Sequence, residues 1–394
     1  MYEIQNAERL NVPAVSRAKL EYALNEALKK IDYALPVFTE LFPSEASRGN
    51  VYEAQSNLTS GGWNTGFWSG ILWHAYELTG EKKYRDTVLE HQLPSFLERI
   101  EKKLGVNHHD MGFLYVPSCV AAYKLTGSEL GKQAALLAAE HLFSRYHPEA
   151  GFIQAWGDLD DPNAYRLIID CLMNLPLLYW ASEVTGDSRF ADAAYTHYQT
   201  TRQVILRPDG STYHTCFFDP VTHLPEKCVT HQGASNDSAW SRGQAWGIYG
   251  PLLTYLHHKD PSAMEMFRET TAYYLNHLPA DFIPYWDLCF TDGDGQPKDS
   301  SAAAIALAGM LEGIRHMEDA DPMKPSVSGA IACTMNSLID GYLTKDVPQA
   351  NGLLLHASYS VPHNNGVDEM NIWGDYFYME ALHRMLDPQW NPYW

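Results

Sequence analysis

Basic residues are scarce in this chain. Lys and Arg number 28 against 48 Asp and Glu, so the net charge is −20 over 394 residues. A surface this acidic repels phosphate backbones and anionic lipid head groups, so nucleic acid and membranes are not expected partners. Long apolar runs are missing as well, which excludes a membrane-spanning helix. The first twenty residues lack the basic-then-apolar order of a secretion signal, and we therefore expect a cytoplasmic protein.

Cysteine is infrequent too. The chain has six, and no two are close enough in sequence for a CxxC metal or redox pair. Four of them sit in apolar runs. This pattern predicts reduced, mostly buried thiols, as in a cytosolic protein. The six are Cys119, Cys171, Cys216, Cys228, Cys289 and Cys333.

One pattern recurs along the chain: a small or aromatic opening, an apolar helix, a turn, and a more polar amphipathic helix. Two openings are GGWNTGFWSGILWHAYELTG from Gly61 and SRGQAWGIYGPLLTYLHH from Ser241. Three units end on LTG or VTG, whose glycine suits a left-handed helix cap. The six openings begin at Gly61, His109, Ile168, Ser241, Asp299 and Asn371. Six helical hairpins without strand–helix alternation predict an all-α repeat architecture.

The polarity of the two helices in each unit predicts how they pack. The first is apolar on most sides and should lie inside, whereas the second is apolar on one side and should lie outside. The openings are spaced too irregularly for a recognised solenoid. We therefore predict an (α/α)6 barrel, a closed ring of six hairpins that forms a single catalytic domain over residues 1–394. Loops from each outer helix to the next inner helix then meet at one end and build a pocket. The longest, residues 207–238, contains strand-like fragments that predict a short β-hairpin.

Five aspartates stand at or near the predicted starts of inner helices: Asp110, Asp170, Asp237, Asp299 and Asp375. An aspartate at a helix start is most often a cap, where the helix dipole favours its ionised form. A dry pocket and a second carboxylate favour the protonated form, which makes a proton donor near neutral pH. Asp110 and Asp170 are the best candidates for the second role, because histidines or aromatic residues flank both.

Tryptophan is abundant at the openings, not in the middle of helices. Flat rings beside polar groups bind sugars, since one sugar face is apolar and its rim carries hydroxyls. The alternative is bulky filler between the inner helices, and composition does not separate the two. Trp63, Trp156 and Trp246 are the preferred pocket residues because polar neighbours surround them.

Arg242 begins an otherwise apolar helix, where the helix dipole disfavours a cation. It should therefore meet a carboxylate, either of a ligand or of Asp237 or another inner-helix aspartate. Several histidines fall in pocket-side loops, but no HExxH or similar spacing exists, so no metal and no cofactor is expected.

The segments GFWSGILWHAYELTG, HHDMGFLY, IIDCLMNLPLLYWA, SRGQAWGIYG, DSSAAAIA and IWGDYFYMEAL resemble the unsaturated glucuronyl hydrolases. The resemblance runs in the same order from about Trp63 to Leu382. That family has an (α/α)6 barrel fold, in agreement with the six hairpins. Its members remove the 4,5-unsaturated glucuronic acid that a polysaccharide lyase leaves at the non-reducing end of an oligosaccharide.

The resemblance implies roles for ten residues. Asp170 would be the general acid and base, and Asp110 would assist it and hold sugar hydroxyls. The subsite for the unsaturated sugar would be lined by Trp63, His109, Trp156, His214, Gln232, Arg242, Trp246 and Tyr359.

Other readings stay open. Unsaturated rhamnogalacturonyl hydrolases share the fold and also use an aspartate in the third unit, although HHDMGF and THQG fit the glucuronyl group better. A conventional inverting glycosidase on the same barrel and a sugar-binding protein without activity are further alternatives.

Glucuronyl hydrolases that favour sulfated substrates carry an Arg near the position of His231 and a Ser-x-x-Ser-x-Lys run near Ser360. The run here is SVPHNN, so we expect unsulfated substrates.

Overall fold

The computed structural model describes residues 3–394. Within them, twelve main helices alternate between an inner and an outer position. In chain order they are α1 (Arg17–Ala34), α2 (Thr65–Thr79), α3 (Lys82–Asp86, a π-helical stretch Thr87–Gln92, and Leu93–Glu101), α4 (Met111–Tyr115, a π-helical stretch Val116–Val120, and Ala121–Thr126), α5 (Glu129–Phe143), α6 (a 3₁₀-helical turn Ile169–Met173 and Leu175–Thr185), α7 (Ser188–Ile205), α8 (Ser241–His258), α9 (Pro261–Asn276), α10 (Ser300–Ile314), α11 (Lys324–Ser337, continued by a π-helical stretch Leu338–Tyr342) and α12 (Ile372–Leu386).

The even-numbered helices form the inner ring. In α8, every residue from Ser241 to Thr254 is buried, and α10 and α12 are buried over most of their lengths. A helix that is enclosed on all sides needs apolar or small residues all round, which is the composition that the sequence shows. Within residues 3–394, no helix is long and apolar enough to cross a membrane.

The odd-numbered helices form the outer ring. In α7 the buried residues are spaced three or four apart, so one stripe faces inward and the rest faces solvent. They are Phe190, Ala193, Ala194, His197, Tyr198, Thr201 and Ile205. The predicted division into inner and outer helices is therefore confirmed.

The ring closes through the two ends of the chain. Five inner helices are each followed by their outer partner, but no helix follows α12 within the described residues. Its outer partner is α1, and α12 also packs against α2, the first inner helix. The architecture is thus the predicted (α/α)6 barrel, with a sixth pair that joins distant parts of the sequence.

The turns at the closed ends of the hairpins follow from local chemistry. Gly80, Gly127 and Gly186 end inner helices with φ of 73°, 72° and 75°, a left-handed conformation that glycine adopts without steric cost. The side chains of Ser128 and Asp187 then cap the next outer helices. The repeated T-G-S and T-G-D sequences thus encode the reversal from inner to outer helix.

Short antiparallel strands lie in the connections from outer to inner helices. β1 (Phe42–Pro43) pairs with β2 (Ala54–Gln55), β3 (Tyr146–His147) with β4 (Phe152–Ile153), and β8 (Ala357–Ser360) with β9 (Asn365–Glu369). A three-stranded sheet joins β5 (Arg166–Ile168), β6 (Thr215–Phe218) and β7 (Pro225–Val229) in that order. The β6–β7 pair is the hairpin predicted in residues 207–238.

The expectation of six reduced cysteines is wrong. Cys216 and Cys228 face each other in the register of β6 and β7 and are joined by a disulfide, with Cα atoms 4.1 Å apart. Sequence spacing did not reveal the pair, because the two positions are twelve residues apart in sequence and a turn lies between them. The other four are free thiols, of which Cys289 is exposed and the rest are buried.

Candidate active site

A cavity of about 200 Å³ opens at the end of the barrel where the outer-to-inner connections meet. All ten residues predicted for the site line it, and Ile168, His231 and Trp240 complete the wall. The ten are Trp63, His109, Asp110, Trp156, Asp170, His214, Gln232, Arg242, Trp246 and Tyr359.

Neither of the two central carboxylates is a helix cap. Asp110 stands at the cap position of α4, but its side chain makes no capping hydrogen bond. Asp170 lies inside the 3₁₀-helical turn that opens α6, two residues past the cap position at Ile168. Strand β5 ends at Ile168 and delivers Asp170 to the cavity. The capping alternative, which is the common role of such aspartates, therefore does not apply to either.

His109 joins the two carboxylates. Its Nε2 lies 3.2 Å from Asp170 Oδ1 and 3.4 Å from Asp110 Oδ1. His108 Nδ1 lies 3.1 Å from the other carboxylate oxygen of Asp110. The Asp110 and Asp170 side chains are 13% and 23% exposed, whereas His109 is 1% exposed. The carboxylates are thus close together and mostly shielded from water.

The two carboxylates have pKa values shifted in opposite directions. Burial raises the pKa of Asp170, and Asp110 adds to the rise, although His109 opposes it. Burial would also raise the pKa of Asp110, but His109, His108 and a hydrogen bond from Asn174 outweigh burial and lower it. When the pKa values of two neighbouring acids are shifted in opposite directions, the acid with the raised pKa keeps its proton and the other carries the negative charge. Here Asp170 is the better proton donor and Asp110 the better anion.

His109 is the positive charge between them. Burial alone would lower its pKa, but Asp110, Cys171 and Asp170 raise it well above the ordinary value. Its Nδ1 has no hydrogen-bond partner among the described residues. A protonated His109 stabilises the Asp110 carboxylate and limits how far the pKa of Asp170 can rise.

Of the other candidate aspartates, two are structural. Asp299 caps α10 by accepting from Ser301 N and pairs with Arg242 at 2.7 Å. Asp375 accepts from Tyr52 Oη at 2.9 Å and from Leu354 N at 2.9 Å. Asp237 lies near an inner-helix start, as predicted, but it is exposed in the loop four residues before α8 and does not line the cavity.

Arg242 is fully engaged by the protein. Besides the ion pair with Asp299, its guanidinium donates to Ser358 O at 2.8 Å, to Tyr359 O at 2.5 Å and to Gln232 Oε1 at 2.6 Å. The inner-helix aspartate that the sequence left open as a partner of Arg242 is Asp299. Arg242 thereby fixes Gln232 and the Tyr359 backbone in the cavity wall.

Aromatic rings form two sides of the cavity. Trp63 donates from Nε1 to Tyr359 Oη at 3.2 Å and packs against Trp373, with ring centroids 4.8 Å apart. Trp246 is 2% exposed and packs against other rings, so it fills space between the inner helices and also lines the cavity. Trp156 is 43% exposed and stands at the mouth.

The loop from β7 to α8 brings His214 and His231 together. His231 N donates to His214 Nδ1 at 2.8 Å. Burial, reinforced by His231 and two arginines, lowers the pKa of His214 to about 3, so its imidazole is neutral. A neutral imidazole at this place can donate or accept a hydrogen bond but adds no charge to the site.

The sequence did not single out several residues of the site. Asn174 donates and accepts within the site and could have been found, since it lies four residues after Asp170 on the same helix. Glu45 approaches from the β1–β2 region, where burial and Asp110 raise its pKa to about 7. No repeated motif surrounds Glu45, so only the fold places it there.

His109, Asp110 and Asp170 each offer an atom within 4.8 Å of the others, which is a set that could hold a metal ion. Their mutual contacts also account for the arrangement without one. The expectation that the site uses no metal therefore stays a prediction.

An α/α barrel with an acidic pair inside an aromatic cavity defines the chain as a carbohydrate-degrading enzyme of the helical-barrel class. Comparisons with known proteins give the family. Residues 38–341 match Glycosyl Hydrolase Family 88. The chain belongs to that family and is a glycoside hydrolase.

Relatives match over nearly the whole chain. An unsaturated chondroitin disaccharide hydrolase from Streptococcus pneumoniae is 44% identical, over 100% of this chain and 98% of its own length. An unsaturated glucuronyl hydrolase from Bacillus sp. (strain GL1) is 38% identical, over 93% of this chain and 96% of its own length. The crystal structure of an unsaturated glucuronyl hydrolase from Streptococcus agalactiae matches with a TM-score of 0.96 at 43% identity, covering 100% of this chain and 98% of that one. The resemblance seen in the motifs is thereby confirmed.

Proposed function

We propose that this enzyme releases 4,5-unsaturated glucuronic acid from the non-reducing end of oligosaccharides made by polysaccharide lyases. The observation that carries the proposal is the Asp110–His109–Asp170 group, in which one acid is biased towards its protonated form and the other towards its charge. The names and folds of the relatives support the same substrate class.

The substrate is a vinyl ether whose C5 bears a carboxylate. Asp170 gives its proton to C4, which leaves a cation at C5 that the ring oxygen stabilises. Water adds at C5 and returns a proton to Asp170, and the resulting hemiketal opens and expels the rest of the chain. General acid and base catalysis of this kind contributes about 10²–10⁴ in rate.

The surroundings of Asp170 suit a donor. The cavity excludes most water from the carboxyl, and the carboxylate of the bound sugar would raise its pKa further, since a second negative charge disfavours ionisation. Asp110, held ionised by His108 and His109, would orient sugar hydroxyls as an acceptor.

The site must bind an anion although the protein carries a charge of −20. Salt screens the distant charges beyond about 8 Å, so the nearest groups decide. His109 is a cation inside the site, and Gln232, fixed by Arg242, is a neutral hydrogen-bonding group beside it. His109 and Gln232, with the indole and phenol groups of the cavity wall, would offset the repulsion between the Asp110 carboxylate and the anionic sugar.

The geometry argues against a conventional inverting glycosidase. Inverting enzymes hold their two carboxyl groups roughly 6.5–9.5 Å apart to leave room for a water molecule. Here one carboxylate oxygen of Asp110 and one of Asp170 lie within 4.8 Å of each other. Hydration of a double bond needs no such gap, because a single acid serves both proton transfers.

The test is a panel of lyase-derived unsaturated disaccharides, with the ultraviolet absorbance of the double bond as readout. We expect glucuronyl substrates to lose that absorbance and rhamnogalacturonan-derived substrates to keep it, and unsulfated glucuronyl substrates to react faster than sulfated ones. Dialysis against EDTA should leave the rate unchanged. Release of sugar from saturated oligosaccharides, or no loss of absorbance from any substrate, would contradict the proposal.

We propose further that residues 1–394 form one catalytic domain and that the enzyme works in the cytoplasm. The pairing of α1 with α12 supports the first point, because neither end of the chain is independent of the barrel. Four free thiols among six cysteines support the second, whereas the Cys216–Cys228 disulfide is unusual for a reducing compartment. Limited proteolysis tests the single domain, and a separately stable fragment would contradict it. Cell fractionation tests the location, and recovery of the enzyme from the growth medium would contradict it.

A further inference from the structure

Arg166 is a buried cation that forms no ion pair within residues 3–394. It lies on strand β5 and is 8% exposed, its side-chain Nε has no hydrogen-bond partner among these residues, and the charge of Asp161 acts on it without a salt bridge. Burying a charge without a partner is costly, so the environment of this group must compensate for it in another way.

The compensation comes from aromatic faces. The Arg166 guanidinium carbon lies 3.3 Å from the centroid of the Trp156 ring and 5.2 Å from that of Phe217. Among aromatic rings, an indole face attracts a cation most strongly, and the attraction increases when the cation is desolvated. The shortest aromatic contact of the Arg166 guanidinium is therefore with the Trp156 ring.

The other buried arginines near the cavity are used differently. Arg242 is engaged by Asp299, Gln232 and two carbonyls. Arg145 donates to Gln154 O, Gly157 O and Asn107 Oδ1. Both stabilise loops through hydrogen bonds. Arg166 therefore acts differently from these two arginines, because it packs on an aromatic ring and does not hold a loop through hydrogen bonds.

Trp156 is the ring that needs support. Its backbone bridges to His108, and Ala155 N donates to Arg166 O at 3.0 Å, so the main chain is held on both sides. The indole itself is 43% exposed at the mouth of the cavity. An exposed ring can occupy several rotamers, and fixing it when a ligand binds lowers affinity. With Arg166 covering one face, the ring can present only its other face and its edge.

The spacing along the chain connects this ring to the reaction. Successive side chains in a strand alternate between faces, so Arg166 and Ile168 share a face of β5. Ile168 lines the cavity, and Asp170 follows at its floor. Asp170 itself lies in the 3₁₀-helical turn that follows β5, and its side chain is less exposed than Trp156, so the Arg166–Trp156 pair stands at the mouth of the cavity and the acid lies further inside.

The resemblance assigns Trp156 to the subsite of the unsaturated sugar. We propose that Arg166 is a positioning residue and that it holds the exposed Trp156 ring as a preformed stacking surface that extends from this subsite to the sugar following the unsaturated one. This inference rests on the proposed function. It assigns recognition of the second sugar to ring stacking, which accepts neutral and charged sugars alike, and not to capture of an acidic substituent.

The test compares a one-ring with a two-ring substrate. Arg166→Met keeps the length of the side chain but removes the planar cation, and Arg166→Lys keeps the charge without the plane. Lys227→Met is the matched control, because Lys227 is an exposed cation 5.4 Å from the Phe217 ring. Each is assayed with the methyl glycoside of unsaturated glucuronic acid and with disaccharides that carry a neutral or a sulfated second sugar.

For Arg166→Met we expect KM for both disaccharides to rise about tenfold, as loss of a desolvated cation–π contact implies. Their kcat should change little, and KM for the methyl glycoside should rise far less. Arg166→Lys should restore only part of the affinity, and Lys227→Met should match the wild type. Trp156→Leu should raise KM as Arg166→Met does, and combining the two should add little more.

Other results overturn the inference. A KM increase that is equal for one-ring and two-ring substrates would show a general loss of structure. An increase confined to the sulfated disaccharide and rescued by Arg166→Lys would show anion capture. An unchanged KM in Arg166→Met would remove the inference while leaving the proposed function intact, whereas a wild type that consumes no double bond would remove the proposed function itself.

Discussion

Asp110 and Asp170 are the same residue type in one cavity, yet their neighbours give them different properties. The charges of His109 and Arg242 compensate Asp170, but burial outweighs them, whereas Asp110 has His109, His108 and a hydrogen bond from Asn174. The pKa of Asp170 is therefore raised and that of Asp110 lowered. The division of labour between acid and anion is set by these neighbouring side chains.

One consequence concerns the pH dependence of kcat/KM. His108→Ala removes the hydrogen bond and the charge that help to lower the pKa of Asp110. The pKa of Asp110 should then rise, so the acidic limb of the profile should move to higher pH by up to about one unit. The measurement is a pH series on one unsaturated disaccharide.

His91→Ala serves as the control, since His91 is a half-exposed histidine on the outer helix α3. Its profile should match that of the wild type. An acidic limb that stays in place in His108→Ala would mean that Asp110 is not the group that must be ionised.

At the scale of helices and strands, much of the arrangement was predictable from sequence. Apolar residues all round one helix and on one side of the next define inner and outer positions, and the LTG and VTG turns define the reversals. The meeting of the outer-to-inner loops predicted a pocket at one end of the barrel, whereas the identities of its ten residues came from the resemblance to the glucuronyl hydrolases.

What could not be predicted depends on contacts between distant segments. Helix α1 carries no opening motif, so nothing in its own sequence pairs it with α12. The Cys216–Cys228 pair depends on the register of two strands, and the place of Glu45 depends on how residues 42–55 fold over the barrel end. Local patterns do not encode these relations.

The disulfide should stabilise the hairpin that carries His214 at one end and His231 at the other. Closing a loop of about a dozen residues contributes roughly 3 kcal/mol. Cys216→Ser should therefore lower the melting temperature and raise KM, because His214 and Gln232 lose part of their support. Thermal unfolding and steady-state kinetics measure the two effects.

Cys289→Ser is the matched control, since Cys289 is an exposed free thiol. It should leave both quantities unchanged. Dithiothreitol should affect the wild type as Cys216→Ser does, and equal melting of all samples would show that the disulfide contributes no stability.

For the whole molecule, one buried acid connects the segment between α1 and α2 with the last helix of the ring. Asp375 on α12 binds Tyr52 and the backbone of Leu354. Burial raises the pKa of Asp375 to about 7 from an ordinary value of 3.8, although these hydrogen bonds oppose the rise. Folding therefore favours its protonated form.

The sign of the effect on stability follows by linkage. The contribution of a protonated Asp375 is complete below about pH 4 and is lost as pH rises through about 7. Asp375→Asn, which stays neutral, should keep its stability over that interval while the wild type loses a few kcal/mol. Melting temperatures between about pH 5 and 8 measure the difference, and parallel curves for both proteins would contradict it.

The central claim is that Asp170 supplies the proton that begins the reaction, and Asp170→Asn tests it most directly. Turnover of an unsaturated disaccharide, followed by loss of its double-bond absorbance, should fall by about 10²–10⁴ or more, while the dissociation constant of the same disaccharide, measured by calorimetry, stays near that of the wild type. Asp237→Asn, in the exposed loop before α8, should leave both values unchanged. An Asp170→Asn enzyme that turns over at the wild-type rate would contradict the account.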